Sequence, residues 1–487
     1  MNHIPEIQDP RRLETVISPS DFAALYVSSS WKRELLGAFF EALGKRFGTD
    51  ILLRVPDAAR GLHPAIFKDL PAVQRLRERG LLTDVGFLPG YPDEPALYRA
   101  YAKGASSGSG AHFSSPERAL WSALGECIER SLWFHAEEWY GNKTRPSLYR
   151  SLPGEKLDPS SISGFSEAQK EADPLLATGA ETVFEWIRAK ELISDKDIWV
   201  PLQLLSAEYA NKKQKSPYHP SNTEPLLRPT VTTGLATGAT LEEATLYGAL
   251  EVIERDAFMI AWLNNLSSPR LDPESLSAEH SDIAAMLASF KRHRLRAEML
   301  LLPTDFPVHV VAGVLIDETC NGPAFTVGAK AHWDIKEAVL GAFSESTSVR
   351  YSLKKKGSEK AEAKAMGRKE RLAYWAEKDN LPRAGFFTRG DLMPHVPAPT
   401  ARDGQEGWQK IIRHMAHKRY RLFAPEISSP ASRSSGFRSV YVFSPDLQPL
   451  HLDERAPCFG GPRLSDIPRE LGYAAADTLN PEPHPFP

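Results

Sequence analysis

Two segments of the chain repeat one pattern of apolar and polar positions. Residues 122–130 (S-A-L-G-E-C-I-E-R) and 248–255 (G-A-L-E-V-I-E-R) align without a gap at an offset of 125. In both segments the apolar residues recur at helical spacing, which predicts two amphipathic helices. Both contain E-x-x-E-R, and residues three apart lie on one helix face, so each helix is expected to present two neighbouring carboxylates.

Segments of small residues precede both predicted helices. Residues 104–115 form a predicted loop rich in Gly and Ser, and residues 232–240 form a second one. Ser115, followed by a proline, is a favourable N-cap for the first helix. Thr240 and Glu243 match a capping box at the start of the second helix.

A third and fainter copy of this unit follows the second at an offset of 94. Its helix ends in S-V-R at 348–350, so the second carboxylate of the pattern is missing. The positions that match the second copy are Gly328, Asp334, Glu337, Ala338 and Glu345.

Apolar runs between these units predict strands. The predicted strand regions are 183–205, with 198–200 the clearest part and 202–205 following a proline, then 308–316, 324–327 and 440–443. Strands that alternate with loop-helix units predict an α/β (mixed α+β) fold, with internally repeated loop-helix units packed on β-sheets.

Three polar or proline-rich segments are expected to be exposed. Residues 212–229 predict an exposed loop, and the charge run 354–371 predicts a solvated helix or a mobile loop. Residues 481–487 carry proline at every second position, which excludes helix and central strand. This tail is therefore predicted to be extended and exposed, with little contribution to a core.

Composition narrows the class of protein. The 487 residues are 42% hydrophobic and 25% charged with a net charge of −3, which gives no reason to expect nucleic acid or a membrane as partner. The start of the chain lacks the pattern of a signal peptide. Cys127, Cys320 and Cys458 are odd in number and far apart, so buried thiols in a cytoplasmic protein are expected.

Four glutamates on two equivalent helices suggest a site for a hard cation. Oxygen ligands without matched His or Cys favour Mg²⁺, which also retains water and phosphate oxygens. Arg130 and Arg255 would pair with phosphates or orient the carboxylates. The alternative is a solvated helix face with local ion pairs. The chain lacks the G-x-x-x-x-G-K-[ST] and G-x-G-x-x-G phosphate motifs, and its G-x-S-x-G match at 104–108 lacks the required strand and helix.

Together these motifs resemble the YcaO family over roughly residues 80 to 487. The family's S-x-x-x-E-x-x-E-R motif is matched at 122–130 and its E-x-x-E motif at 251–254. The resemblance implies that ATP and Mg²⁺ are bound, with Mg²⁺ held by Glu126, Glu129, Glu251 and Glu254. It implies ATP-binding roles for Ser122, Glu126, Arg130, Glu243, Glu251, Arg255 and Arg350.

The resemblance also implies a division of the chain. Residues 1–80 would be an N-terminal accessory segment, with a helix predicted at 31–47 and a strand at 51–55. Residues 81–487 would be the YcaO ATP-binding catalytic domain. Two positions depart from the family pattern: Ser109 stands where many members have Lys, and Ala239 where many have Asn.

The tail resembles that of azoline-forming cyclodehydratases of thiazole/oxazole-modified peptide biosynthesis. In such enzymes a proline-rich end reaches toward the active site, which makes Pro483, Pro485 and Pro487 catalytic candidates. The implied reaction is ATP-dependent cyclodehydration of Cys, Ser or Thr in a ribosomally made precursor peptide to thiazoline or oxazoline. The alternatives are thioamide or amidine formation, or a non-catalytic assembly subunit.

The same resemblance implies partners. No CxxC pair indicates a fused zinc-bearing or E1-like domain. A separate E1-like protein that binds the leader peptide is therefore expected, and an FMN-dependent azoline dehydrogenase often accompanies relatives of this layout. A homodimer core is expected by analogy.

Overall fold

The computed structural model describes residues 71–88, 90, 93–133, 140, 143–206, 224–229, 231–319, 322–356 and 367–487. The predicted helix at 31–47 and strand at 51–55 lie outside these residues. So do Cys320, most of the loop 212–229 and the middle of the charge run 354–371.

Helices and strands alternate along the described chain. The helices are α1 Pro71–Glu78, α2 Pro116–Trp133, α3 Glu167–Ala172, α4 Leu241–Leu263, α5 Pro273–Glu279, α6 Ser281–Arg292, α7 Ile335–Lys356, α8 Arg368–Ala376, α9 Gly404–Lys418, α10 Pro430–Ser434 and α11 Arg463–Glu470. The strands are β1 Asp84–Leu88, β2 Tyr98–Lys103, β3 Ser107–His112, β4 Arg145–Leu148, β5 Val183–Glu191, β6 Lys196–Pro201, β7 Leu235–Gly238, β8 Arg270–Leu271, β9 Leu295–Leu302, β10 His309–Asp317, β11 Phe325–His332, β12 Leu392–Met393 and β13 Arg438–Tyr441.

The predicted repeats are strand-helix units rather than loop-helix units. The segments expected to be loops contain β3 and β7, and the third copy contains β11. Their small residues allow close packing: a Cβ on Gly110 would lie 2.6 Å from Ala123 N of α2, and one on Gly328 would lie 2.5 Å from Ser346 N of α7. The small residues that predicted loops therefore allow each strand to pack closely against its helix.

Each repeated helix has a polar N-cap. Ser115 Oγ accepts a hydrogen bond from Arg118 N at 3.1 Å, and Thr240 Oγ1 accepts one from Glu243 N at 3.1 Å. The Glu243 carboxylate accepts from Ala239 N at 2.7 Å, one residue before the N-cap. The Thr240 half of the predicted capping box is therefore confirmed, and its Glu243 half is shifted by one residue.

A five-stranded sheet in the order β11-β10-β9-β8-β12 forms the centre of the second half of the chain. Strand β10 is buried along its whole length and pairs antiparallel with both neighbours. Because side chains alternate along a strand, Val310 and Val314 pack in the cluster that contains α4, and Val311 and Leu315 pack in the cluster that contains α7. The sheet thus separates two of the repeated helices.

Smaller sheets complete the fold in the orders β1-β2-β3, β4-β5-β6 and β13-β7. The strand prediction at 308–316 matches β10 closely, that at 324–327 covers the start of β11, and that at 440–443 overlaps the last two residues of β13. The prediction of a strand at 202–205 is wrong, because Leu202–Leu204 forms a 3₁₀ turn after β6. The mixed α/β fold predicted from the sequence is confirmed.

The packed unit extends to residues before 80. Val73 and Leu76 of α1 are fully buried in the same apolar cluster as Leu120 and Leu124 of α2. The expected division at residue 80 therefore falls inside one core. In the same core Cys127 is a buried free thiol, as Cys458 is elsewhere. Among the helices described, none has the length and apolar character needed to cross a membrane.

A buried ion network is attached to α4 through Asp256. Arg463 lies 2.6 Å from Asp256 and 2.7 Å from Asp305, and all three side chains are almost completely buried. Asp256 directly follows Arg255 of the repeated motif. The network therefore fixes the helix that carries the second pair of glutamates.

Arg463→Leu is expected to lower the free energy of unfolding by about 3–5 kcal/mol, because it removes the cation that pairs with the buried Asp256 and leaves Asp305 with His414 alone as an ion-pair partner among the described residues. Urea denaturation of the two proteins measures this difference. Arg469→Leu, an exposed change on the same helix, is the matched control and should stay near wild type. Equal effects of the two substitutions would contradict a stabilising role for the network.

Candidate active site

The first glutamate of every repeat accepts a backbone hydrogen bond from the segment that precedes its helix. Glu126 accepts a hydrogen bond from Ser109 N. Glu251 accepts from Gly234 N at 2.9 Å, and Glu345 accepts from Ala329 N at 2.8 Å. The donors of the first two contacts are equivalent positions of the repeat, whereas the donor of the third lies one residue later than its equivalent.

The second glutamates lie beside the first ones. Glu254 is 3% exposed and accepts a hydrogen bond from Ala331 N at 2.8 Å, which links α4 to β11. Burial, followed by the charges of Glu126 and Glu251, raises the pKa of Glu129 well above its usual range. The carboxylates of α2 and α4 are therefore close enough to repel one another.

The third repeat contributes to the same cluster. Burial raises the pKa of Glu254 to about 7, with Glu345 and Glu251 adding to the effect and Arg255 opposing it. Burial also raises the pKa of Glu345. Glutamates of α2, α4 and α7 are thus within electrostatic reach of one another, and Arg255 bridges those of α4 and α7. Oxygen ligands of this kind are those that a hard divalent cation such as Mg²⁺ prefers.

The arginines of the motif orient the carboxylates. Arg130 lies 2.6 Å from Glu126. Arg255 lies 3.0 Å from Glu251, contacts Glu254, and lies 4.0 Å from Glu345. The sequence left two roles open for these arginines, pairing with phosphates or orienting the carboxylates. The contacts of Arg130 and Arg255 in the structure are with carboxylates.

Ser122 and Glu243 lie near the ends of this arrangement. Ser122 is exposed one turn before Glu126 and therefore on the same face of α2. Glu243 lies in the first turn of α4 and accepts a hydrogen bond from Tyr247 Oη at 2.9 Å as well as from Ala239 N. Residues 109 and 239 are the two departures from the family pattern. At both positions the backbone amide donates a hydrogen bond to a glutamate carboxylate, Glu126 and Glu243 respectively, and this bond does not depend on the side chain.

Arg350 is not brought to the carboxylates. Its guanidinium bonds to Glu94 at 2.7 and 3.0 Å, to Asp317 at 2.7 Å and to Pro323 O at 2.9 Å. The side chain is 5% exposed, and these contacts engage four of the five N–H donors of the guanidinium. A phosphate contact by Arg350 stays a prediction, and in the structure the side chain is engaged by Glu94 and Asp317.

Sequence reasoning missed Arg368 at the start of α8. Partial desolvation, followed by the neighbouring charge of Arg130, lowers the pKa of Arg368, and the charges of Glu126 and Glu345 oppose this shift. Arg368 is solvent-exposed, and its charge interacts with those of Arg130, Glu126 and Glu345. Its position inside the charge run 354–371 concealed it, because a run of charges is typical of a solvated surface.

The proline-rich tail is buried, contrary to prediction. Residues 483–486 are buried, and Phe486 is 0% exposed. The Phe486 ring centroid lies 4.7 Å from that of Phe258 and 4.0 Å from Arg255 Cζ. The tail therefore packs directly on the arginine that orients the carboxylates.

Polar contacts hold the tail backbone in place. Trp262 Nε1 donates to Glu482 O at 3.1 Å, and Trp375 Nε1 donates to Pro483 O at 2.8 Å. Arg371, fully buried, donates to Phe486 O at 3.2 Å. Arg371 belongs to the charge run that was predicted to be solvated, and burial against the tail explains why that prediction is wrong for this residue.

His484 makes the tail sensitive to pH. Its Nε2 lies 2.6 Å from His451 O, and its Nδ1 is buried without a hydrogen-bond partner among the described residues. A proton on Nδ1 would place a positive charge in a buried site, so burial, with Arg371 adding to it, holds the pKa of His484 well below its usual range.

We expect this histidine to destabilise the protein in acid. A depressed folded-state pKa gives stability that is complete above about pH 6.5, the unfolded value, and is lost as pH falls, by about 1.4 kcal/mol per pH unit. Urea denaturation between pH 5.5 and 7.5 should show this slope reduced in His484→Gln. The exposed His417→Gln is the control, and an unchanged slope in His484→Gln would contradict the assignment.

Comparison with protein families gives a match to the sequence model described as YcaO cyclodehydratase, ATP- and Mg²⁺-binding, over residues 107–448. An uncharacterised protein of Methanothermobacter thermautotrophicus is 29% identical over 170 residues. That alignment covers 35% of this chain and 42% of the relative, so the chain spans less than half of the relative's length.

Several solved structures share the fold. A heterocyclase in complex with substrate and cofactor has a TM-score of 0.70 at 19% identity, covering 88% of this chain and 59% of its own. YcaO from Methanopyrus kandleri bound with AMPPCP and Mg²⁺ gives 0.56 at 18% identity, with 78% and 91% covered. A chain of the E. coli microcin synthetase McbBCD complex gives 0.58 at 13% identity, with 83% and 96% covered.

Proposed function

The chain belongs to the YcaO family, which binds ATP and Mg²⁺, and from this premise we propose that it is a peptide cyclodehydratase. In the proposed reaction, Cys, Ser or Thr residues of a ribosomally made precursor peptide are converted to thiazolines or oxazolines. ATP is consumed by phosphorylation of the backbone amide oxygen.

One observation carries this proposal beyond the family level. The proline-rich tail packs on Arg255, the same side chain that contacts Glu251, Glu254 and Glu345. A peptide that approaches the nucleotide would therefore meet the tail and the carboxylate cluster together. This placement supports a role for the tail with Pro483, Pro485 and Pro487 beside the peptide, and Pro487 is the one of the three that is partly exposed.

The carboxylates fit a Mg²⁺ site. Glu126, Glu129, Glu251 and Glu254 would hold the metal, with Glu345 as a fifth oxygen donor, and bound Mg²⁺ would neutralise the charge of the triphosphate. The clustered carboxylates repel one another until a cation is present, as the raised pKa of Glu129 indicates. Arg130 and Arg368 would add positive charge beside the phosphates.

The chemistry itself would come from the substrates. A side-chain thiol or hydroxyl of the peptide loses its proton and attacks the preceding amide carbonyl, and the resulting oxyanion attacks the γ-phosphate and displaces ADP. That oxygen then departs as inorganic phosphate while the amide nitrogen loses its proton, which forms the C=N bond of the ring. The protein would contribute position and charge neutralisation, which accounts for a site built from carboxylates and arginines without a nucleophile of its own.

Partners remain part of the proposal. The fold matches 96% of one chain of the McbBCD complex, which is an assembly of several subunits. We therefore expect a separate E1-like protein that binds the leader peptide, and an FMN-dependent dehydrogenase when azolines are oxidised to azoles. We also expect a homodimer core and a cytoplasmic location. We expect no nucleic acid partner.

Mass spectrometry of a peptide labelled with oxygen-18 at the amide before Cys, Ser or Thr tests the reaction. The expected result with Mg²⁺-ATP and the partner protein is loss of one water from the peptide and transfer of the label to phosphate. Replacement of oxygen by sulfur would indicate thioamide formation instead, and replacement by nitrogen an amidine. ATP turnover that is absent with and without peptide would indicate a non-catalytic subunit.

A further inference from the structure

An open groove lies along the first half of β9. Its accessible volume is about 650 Å³, and none of its lining residues belongs to the carboxylate cluster. We call it the edge groove, and its lining residues are Pro273, Leu287, Phe290, Lys291, Arg294, Leu295, Arg296, Ala297, Glu318 and Thr319.

The floor of the edge groove includes unpaired strand backbone. Strand β9 pairs with β10 along its length, whereas β8 pairs with β9 only at Leu300. Leu301 N donates to Pro269 O on the β8 side. Amides of alternate residues point to the same side of a strand, so those of Ala297 and Leu295 also face the β8 side, where no described strand pairs with them.

The rim of the edge groove is positively charged. Arg296 is neutralised by Glu298 at 2.7 Å and Glu318 at 3.1 Å. Lys291 and Arg294 are exposed, and neither forms an ion pair with any part of the chain that the structure describes. Lys291 and Arg294 therefore lie beside the open edge of β9 without a carboxylate partner among the described residues.

Backbone geometry fixes these cations at the groove. Arg294 has a φ of 55°, and its amide donates to Lys291 O at 3.1 Å, which ends α6 in a left-handed turn. The chain then enters β9 directly at Leu295. Both positive side chains are thus attached to short, ordered backbone next to the unpaired amides.

We propose that the edge groove binds an extended acidic segment of a polypeptide by strand addition to β9. The unpaired amides and carbonyls would bind the peptide backbone, and Lys291 and Arg294 would select acidic side chains. That the polypeptide is the precursor peptide, held by a segment outside the residues to be cyclised, rests on the proposed function.

Fluorescence anisotropy with a labelled eight-residue peptide of alternating glutamate and valine tests the groove without ATP. Saturable binding to the wild-type protein is expected. Lys291→Glu/Arg294→Glu should weaken it about tenfold, because two attractions become repulsions. N-methylation of alternate peptide amides should weaken it as well, because strand addition needs those donors.

Arg292→Glu is the matched control, since this neighbouring exposed cation does not line the groove. Its binding should stay within about twofold of wild type. The proposal is overturned if the acidic peptide does not saturate, if Arg292→Glu weakens binding as much as the double substitution, or if N-methylation has no effect. Unchanged peptide binding by Glu254→Gln would separate this site from the proposed catalytic one.

Discussion

Glu254→Gln is expected to abolish Mg²⁺-dependent ATP hydrolysis and leave the fold intact. Glu254 lies at the centre of the carboxylate cluster, where it contacts Arg255 and accepts a hydrogen bond from Ala331 N. Glutamine retains an oxygen that accepts this hydrogen bond but lacks the negative charge that a Mg²⁺ site needs. Loss of one charged ligand should reduce ATP turnover by about a hundredfold to a thousandfold.

Phosphate release with saturating ATP and Mg²⁺, in the presence of peptide and partner, measures this loss. Glu242→Gln is the matched control, because Glu242 is an exposed carboxylate on the same helix. Its turnover should equal that of wild type. Wild-type turnover in Glu254→Gln, with thermal unfolding of all three proteins alike, would remove Glu254 from the proposed site.

Phe486→Ala is expected to lower the free energy of unfolding by about 3–5 kcal/mol, because it empties a fully buried aromatic position. The lost contacts are those with Phe258 and with Arg255. This expectation replaces the one drawn from the sequence, in which removal of the tail affects folding little. A buried tail cannot be deleted without exposing the core that it covers.

Urea denaturation measures the effect of Phe486→Ala, and Phe486→Leu should recover much of the loss because it refills the position. Pro487→Ala is the control that separates stability from chemistry, since Pro487 is only partly buried. Pro487→Ala should unfold like wild type. A small stability change in Phe486→Ala would contradict the packing of the tail against α4.

Repetition made the core of the site predictable. The offset of 125 residues between the two E-x-x-E-R segments required no knowledge of the fold, and helical spacing alone put each pair of carboxylates on one face. The third copy at an offset of 94 pointed to Glu345 before the structure placed it in the cluster. The repeats did not indicate that the glutamates of all three copies would lie near one another in the folded chain.

Long-range pairing accounts for contacts that the local sequence does not show. The guanidinium of Arg350, to which the resemblance assigned a phosphate contact, bonds to Glu94, 256 positions away. Arg371 stood in a charge run typical of a surface, but Phe486, 115 positions away, accepts its hydrogen bond. A side chain's partner at such separation depends on how the whole chain packs, and the neighbouring sequence carries no record of it.

The sequence by itself determined what depends on a few consecutive residues: the glutamate pairs, the helix N-caps at Ser115 and Thr240, and most of the strands. These features follow from backbone geometry within one or two turns. The tertiary structure decided that glycine-rich segments are strands, that the proline-rich tail is buried on Arg255, and that Arg350 pairs with Glu94. Burial and charge pairing set these outcomes, and both arise only when distant parts of the chain come into contact.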